Sequence, residues 1–178
     1  MDAIELLTSQ HHTVEALMKT VLEDADPGLR RQRLQQAANA LTLHLVAEES
    51  VFYPALQAGR IGGQLLGALE EHLSLKRLLA DLLLQWTGAP GFEAKLRMLR
   101  SELEHHHLED ETQLFPLARR LIDGPRRSEL GLRMEQLQVQ LLRQGLLPPV
   151  VDTVSWADAT DPAATVAAAV GARPLPVS

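Results

Sequence analysis

No cysteine occurs in the 178 residues, which excludes disulfides, iron-sulfur clusters and thiolate nucleophiles. Any metal held by this chain must be held by nitrogen and oxygen. Aromatic residues are scarce, with two Trp, one Tyr and three Phe, so the core has to be built from leucine, valine and alanine. No apolar stretch approaches the roughly 20 residues that span a bilayer. The start, Met1-Asp2-Ala3-Ile4-Glu5, lacks the basic flank and apolar run of a signal peptide. A cytoplasmic protein with no membrane contact is expected. A basic stripe is missing too: the formal net charge is -6, and the pairs Arg30-Arg31, Arg119-Arg120 and Arg126-Arg127 are scattered among acids. Nucleic acid is therefore not an expected partner.

What is present is helix signal and histidine. With 46% apolar residues the chain has material for one full core. Asp2 is a good N-cap for a first helix to about Glu23, with Ile4, Leu7, Val14, Met18 and Val21 at helical spacing. Asp26-Pro27 starts a second, through Leu34, Ala37, Leu41, Val51 and Ala55 to about Gly59. A third is predicted from about Gln64 to Trp86, and a fourth from about Phe92 to Ile122 on Leu96, Leu99, Leu103, Leu117 and Leu121. Short turns between long helices imply an all-α, antiparallel up-down-up-down four-helix bundle. Leu130, Met134, Leu137 and Leu141 predict a shorter added helix from about Arg126 to Arg143. The expected division is a bundle over 1–144 and a Pro/Ala-rich tail over 145–178, partly irregular, with start and stop signals for a short helix at 162–170.

Four of the seven histidines fall on the apolar stripes. His11 belongs with Leu7, Val14 and Met18, whereas His12 shares a face with Glu5, Thr8, Glu15 and Lys19. His44 and Glu48 continue the Leu34, Ala37, Leu41 stripe, and His72 lies between Ala68 and Leu75. Of the run His105-His106-His107, His106 aligns with Leu99, Leu103 and Leu117, with Asp110 one turn on. His12, His105 and His107 are expected to face solvent or to support the others. Taken singly, a core-facing histidine is more often a hydrogen-bonded core residue than a ligand. One imidazole on each of four helices, two of them followed by a carboxylate at i+4, is a different matter. Burying so many polar groups unpaired would cost a few kcal/mol each, comparable with the stability of a whole domain. A shared metal centre resolves the conflict.

The segments Leu6 to Val14, His44 to Leu56, Glu70-Glu71-His72 and His106 through Phe115-Pro116 resemble the hemerythrin/HHE cation-binding family over about residues 1 to 143. Both His-acid helices place proline ten residues after the histidine, at Pro54 and Pro116, which independently selects His106 from its run. The resemblance implies two non-haem iron ions with a bridging carboxylate pair and an oxo, hydroxo or water bridge. Its metal residues map to His11, His44, Glu48, His72, His106 and Asp110. Glu111 is the alternative to Asp110, because oxygen-carrying members use an acid five residues after the histidine. Those members also have a further histidine where this chain has Lys76, and an acid is frequent in the family where Gln10 stands.

Four imidazoles and two bridging carboxylates give eight donor atoms, while two octahedral ions ask for about twelve. Open positions on a redox metal permit chemistry with small oxygen species, namely O2, H2O2 and NO. The resemblance favours peroxide disproportionation, with no catalytic residue separate from the metal centre. The alternative is a module that reversibly binds or senses O2 or NO without turnover. Zinc also suits such ligands. A ferritin-like site is disfavoured, because its Glu-x-x-His pairs occur here on one helix only. A monomer or weak homodimer is expected.

Tyr53, nine residues past His44, would lie about 180° around an ideal helix, pointing away from the metals. Pro54 disrupts that turn, however, and a rotated Tyr53 would add a phenolate ligand, which some proteins of the resembled family use.

Overall fold

The computed structural model describes residues 1–59 and 61–144. The tail, including the helix expected at 162–170, lies outside the described residues. Among those residues every regular element is a helix.

Helix α1 (Ala3–Glu23) begins with a capping box: Asp2 accepts from the Ile4 and Glu5 amides, and the Glu5 carboxylate accepts from the Asp2 amide. Asp26 caps α2 (Pro27–Ala47) through the Leu29 amide at 2.8 Å, with Pro27 where no N–H is needed. The chain then runs without a break through a π turn (Glu48–Phe52), the short α3 (Tyr53–Leu56) and a 3-10 turn to Gly59. Helix α4 spans Gly62–Leu84. Gly91, at φ 86°, takes the left-handed conformation that starts α5 (Phe92–Glu109). A second π turn (Asp110–Leu114) leads into α6 (Phe115–Leu121), and α7 covers Gly124–Gln144.

Helix α1 packs on α2 and α5, and α4 packs on the same two, closing a ring of four. The three-residue link 24–26 forces α1 and α2, which lie along each other, to run antiparallel. Helix α7 lies across α1, α2 and the first π turn, burying Leu130 and Met134. The fit is close at Gly131, where a Cβ would come within 2.5 Å of the Met1 carbonyl oxygen.

The two long rods predicted to end at Gly59 and Ile122 exist, but each is interrupted by a π turn whose extra residue shifts the buried stripe. Past the first, Phe52, Tyr53 and Leu56 are buried while Ala55 is only partly so. Past the second, Leu114, Phe115 and Ala118 are buried. Leu117, expected in the core, is half-buried, and Leu121 is 43% exposed. Straight-helix periodicity is wrong by one residue beyond each turn.

Two apolar clusters result. One gathers Ile4, Leu7, Phe52, Tyr53, Leu65, Phe115, Leu130 and Met134, and the other Val14, Met18, Leu34, Leu41, Leu75, Leu79, Leu96 and Leu103. Between them, at the level of the π turns, lies a belt of buried histidines and carboxylates.

Candidate metal centre

Each π turn starts on an acid followed by a second acid, and the local geometry sends the two in different directions. Glu48 is fully buried at the centre of the belt. Its Oε2 lies 3.2 Å from His44 Nε2, 3.2 Å from His72 Nε2 and 3.6 Å from His106 Nε2. Asp110 Oδ2 lies 3.5 Å from His106 Nε2 and 3.7 Å from His11 Nε2. The following acids turn to the back of a distant ring: Glu49 reaches His72 Nδ1 at 2.7 Å, and Glu111 reaches His11 Nδ1 at 2.8 Å. Asp110, rather than Glu111, is therefore the acid that faces the belt from the second π turn.

The remaining rings are oriented in the same way. His106 Nδ1 is 3.0 Å from Glu71, and His44 Nδ1 is 3.3 Å from Gln10 Oε1. These partners accept hydrogen bonds, so each Nδ1 carries a proton, and in the neutral ring Nε2 turns a lone pair inward. A partner on the outer nitrogen is what fixes a metal-binding imidazole. Gln10, where the family often has an acid, fills this role for His44 and donates to Gln138 on α7 at 3.0 Å. Lys76 points outward onto Glu49 at 2.6 and 2.7 Å, so it holds the carboxylate that holds His72.

Tyr53 is fully buried, with its hydroxyl 3.0 Å from His72 Nε2 and 3.4 Å from Glu48 Oε2. The 180° position of an ideal helix is overturned by the π turn, in which the Tyr53 amide bonds to the Glu48 carbonyl. Of the two places expected for His107, facing solvent or supporting the other imidazoles, the first is overturned. His107 is 2% exposed, stacked on His11 with centroids 3.8 Å apart, and bonded through Nδ1 to Glu15 at 2.8 Å. The available signal was its position four residues after Leu103. A single stripe could admit only one of three consecutive histidines, and His106 took the place. His12 is exposed and His105 is 64% exposed at its side chain.

Charge is unevenly shared across the belt. Burial works against a charged His106, yet hydrogen bonds to Glu48 and Glu71 and the nearby Asp110 push it up to about 10. His11 and His107 are driven down, by burial first and the neighbouring imidazoles second, His107 to about 2. Burial opposes ionisation of Glu48, but His44 and its hydrogen-bonded imidazoles hold it well below the usual carboxylate range. Asp110 goes the other way, raised by burial and by Glu48, and burial likewise raises Tyr53.

The donor set fits a cation. Five of the six buried side-chain atoms without a hydrogen-bond partner among the described residues are His11 Nε2, His44 Nε2, His107 Nε2, Glu48 Oε1 and Asp110 Oδ2. Each such atom costs about 1–3 kcal/mol unless something binds it. His72 Nε2 and His106 Nε2 sit 3.1 Å apart, the spacing of two ligands each about 2.1 Å from one ion. Three groups have donor atoms within 4.8 Å of one another, His11-His44-His107, His11-His44-Glu48-Asp110 and Glu48-His72-His106, and Glu48 belongs to the last two.

The hemerythrin HHE cation binding domain matches residues 2–118 of this chain. The chain belongs to this family. An uncharacterized protein of Mycobacterium tuberculosis, Rv2633c, is 30% identical over 144 residues, covering 78% of this chain and 88% of that one. A protein of Nostoc sp. named DNA nickase is 27% identical over 119 residues, which are 67% of this chain. The match spans only 34% of that relative's length. The fold matches the crystal structure of an HHE domain-containing protein from Mycobacterium kansasii, a Rv2633c homolog. The TM-score is 0.70 at 24% identity, over 94% of this chain and 99% of that one. The HHE domain described here is thus a metal-binding helical domain, and no described helix is long and apolar enough to cross a membrane.

Proposed function

We propose that this HHE domain holds two non-haem irons and disproportionates hydrogen peroxide, one peroxide giving two electrons and two protons to become O2 while the other takes them to become two waters. The observation that carries this reading is the pair of donor groups sharing Glu48, made only of imidazole nitrogen and carboxylate oxygen. Such ligands suit iron, and two octahedral ions would keep open positions for a substrate. A bound iron pair supplies the store for the two electrons that pass between peroxides.

The chain's own residues do the rest. Glu111, Glu49, Glu71 and Gln10 fix the imidazoles, and the apolar clusters on either side keep bulk water out. A cleft of about 370 Å³, bordered by Gly67, Ala68, Glu71, Asp110, Leu114 and Arg120, opens beside Asp110. It is wide enough to admit small oxygen species. Glu71, 31% exposed and bonded to His106, can accept a proton at the mouth of this cleft. Lys76 stands where oxygen carriers of the family have another histidine, which favours turnover over storage.

Protein purified without added metal is expected to hold about two irons per chain and to evolve O2 from peroxide at an oxygen electrode. Zinc in place of iron would overturn the redox reading. A reduced form that binds O2 or NO and releases it when the gas pressure falls, without peroxide turnover, would make the domain a carrier or sensor.

A further inference from the structure

We infer that His107 is a fifth imidazole ligand of this centre, on the ion held by His11 and His44. The inference rests on the proposed cation centre and extends it to a residue that the His-acid spacing does not select.

Three observations carry it. His107 Nε2 is buried and has no partner, as with His11 Nε2 and His44 Nε2, and the three rings bring donor atoms within 4.8 Å of one another. Its Nδ1 is bonded to the Glu15 carboxylate at 2.8 Å, so the proton sits on the outer nitrogen and the lone pair turns inward. That is the arrangement of the other four imidazoles, whose Nδ1 atoms meet Glu111, Gln10, Glu49 and Glu71. Finally, its ring stacks on His11 at 3.8 Å with an interplanar angle of 11°, so two parallel imidazoles aim lone pairs into one space. Neutral rings so placed repel through those lone pairs, whereas a cation between them and His44 binds all three. An ordinary core histidine bonded to Glu15 would account for the Nδ1 contact alone.

The consequence is an uneven pair of ions. The ion near His72 and His106 has the Tyr53 hydroxyl beside it, and the ion near His11 and His44 has His107.

The test uses the whole chain, stripped of metal and titrated with Co2+ against a competing chelator. Wild type should take two ions, and His107→Phe, which keeps a ring against His11, should keep one and hold the other at least tenfold more weakly. Glu15→Gln, which disturbs only the orientation of His107, should weaken the same ion a few-fold, and His12→Phe should weaken neither. Unchanged affinity and visible spectrum for both ions in His107→Phe would overturn the assignment. Should that variant fail to fold, wild type loaded with cadmium-113 and labelled with nitrogen-15 histidine decides the matter. Coupling to five imidazole nitrogens supports a His107 ligand, and coupling to four without His107 overturns it. A wild-type stoichiometry of one ion would instead overturn the two-ion reading, and the coupling experiment would still judge His107.

Discussion

The two halves of the bundle nearly repeat each other. A shift of 62 residues carries His44, Glu48, Glu49, Tyr53 and Pro54 onto His106, Asp110, Glu111, Phe115 and Pro116, and a shift of 61 carries Gln10 and His11 onto Glu71 and His72. The contacts repeat with the residues. Glu49 of the first half supports His72 of the second, and Glu111 of the second supports His11 of the first. Gln10 supports His44 as Glu71 supports His106. The scaffold is therefore symmetric and the differences stand out: Tyr53 against Phe115, Leu45 against His107, Lys76 against Glu15, and a central Glu48 against a more peripheral Asp110. A symmetric frame fixes where ligands go, and a few unlike pairs decide what each side of the centre can do.

The largest test of this contrast is to remove the two matched acids. Glu48→Ala is expected to empty both ion positions, because Glu48 lies within 3.6 Å of imidazoles from both halves, whereas Asp110→Ala should leave about one ion per chain. Elemental analysis reads this directly. Calorimetry should show the Glu48 variant melting lowest, since metal saturating the folded form a thousandfold above its dissociation constant adds about 4 kcal/mol. Equal metal loss in the two variants would erase the proposed difference.

Tyr53→Phe makes the halves alike at that position. A phenolate on ferric iron gives an intense charge-transfer band in the visible, and this variant is expected to lose the band while keeping most of its metal. Loss of the hydroxyl's two buried contacts should cost about 1–2 kcal/mol. A spectrum identical to that of wild type would show that the phenol is not a ligand.

Lys76→Met removes the cation that holds Glu49. The carboxylate then rests on His72 alone, and stability should fall by about 1 kcal/mol in a denaturant titration. Freed of Lys76, Glu49 makes the His72 ring a more basic donor, so the reduction potential measured by redox titration should fall. No change in potential would mean that the Lys76-Glu49-His72 chain does not reach the metal.

The smallest effect is expected at the cleft. A side chain at Gly67 meets nothing within 4 Å of its Cβ, so Gly67→Phe should fold normally and narrow the opening. Azide binding to the loaded centre, followed by stopped flow, should slow a few-fold with metal content unchanged. An unaltered rate would place the route to the metals elsewhere.

Much of this was legible in the sequence because helix caps and one-stripe periodicity are local signals. Asp2, Asp26 and Pro27 mark helix starts without reference to the rest of the chain, and His11, His44, His72 and His106 stand out as polar residues in apolar stripes. The π turns were not legible: the switch from an i−4 to an i−5 hydrogen bond leaves no change in composition, and it moved Tyr53 inward and Leu121 outward. His107 was hidden for another reason. Its stacking partner and its carboxylate both lie on α1, far away in the chain, so its one local signal, the place four residues after Leu103, did not outweigh the alignment of His106. The hydrogen bonds that Gln10 accepts from His44 and donates to Gln138 are long-range in the same way.

Helix α7 has a consequence for the order of events at the ribosome. Its Gln138 bonds to Gln10, which orients His44, and it also donates to the Leu43 carbonyl at 3.0 Å, while Gly131 presses on the first residues of α1. Every residue of the two donor groups has been synthesised by Asp110, yet the seam between α1 and α2 stays uncovered until α7 follows. During synthesis the nascent chain thus passes through a stage with its candidate donors complete and one side open. A cation that entered at that stage would be closed in by the last helix.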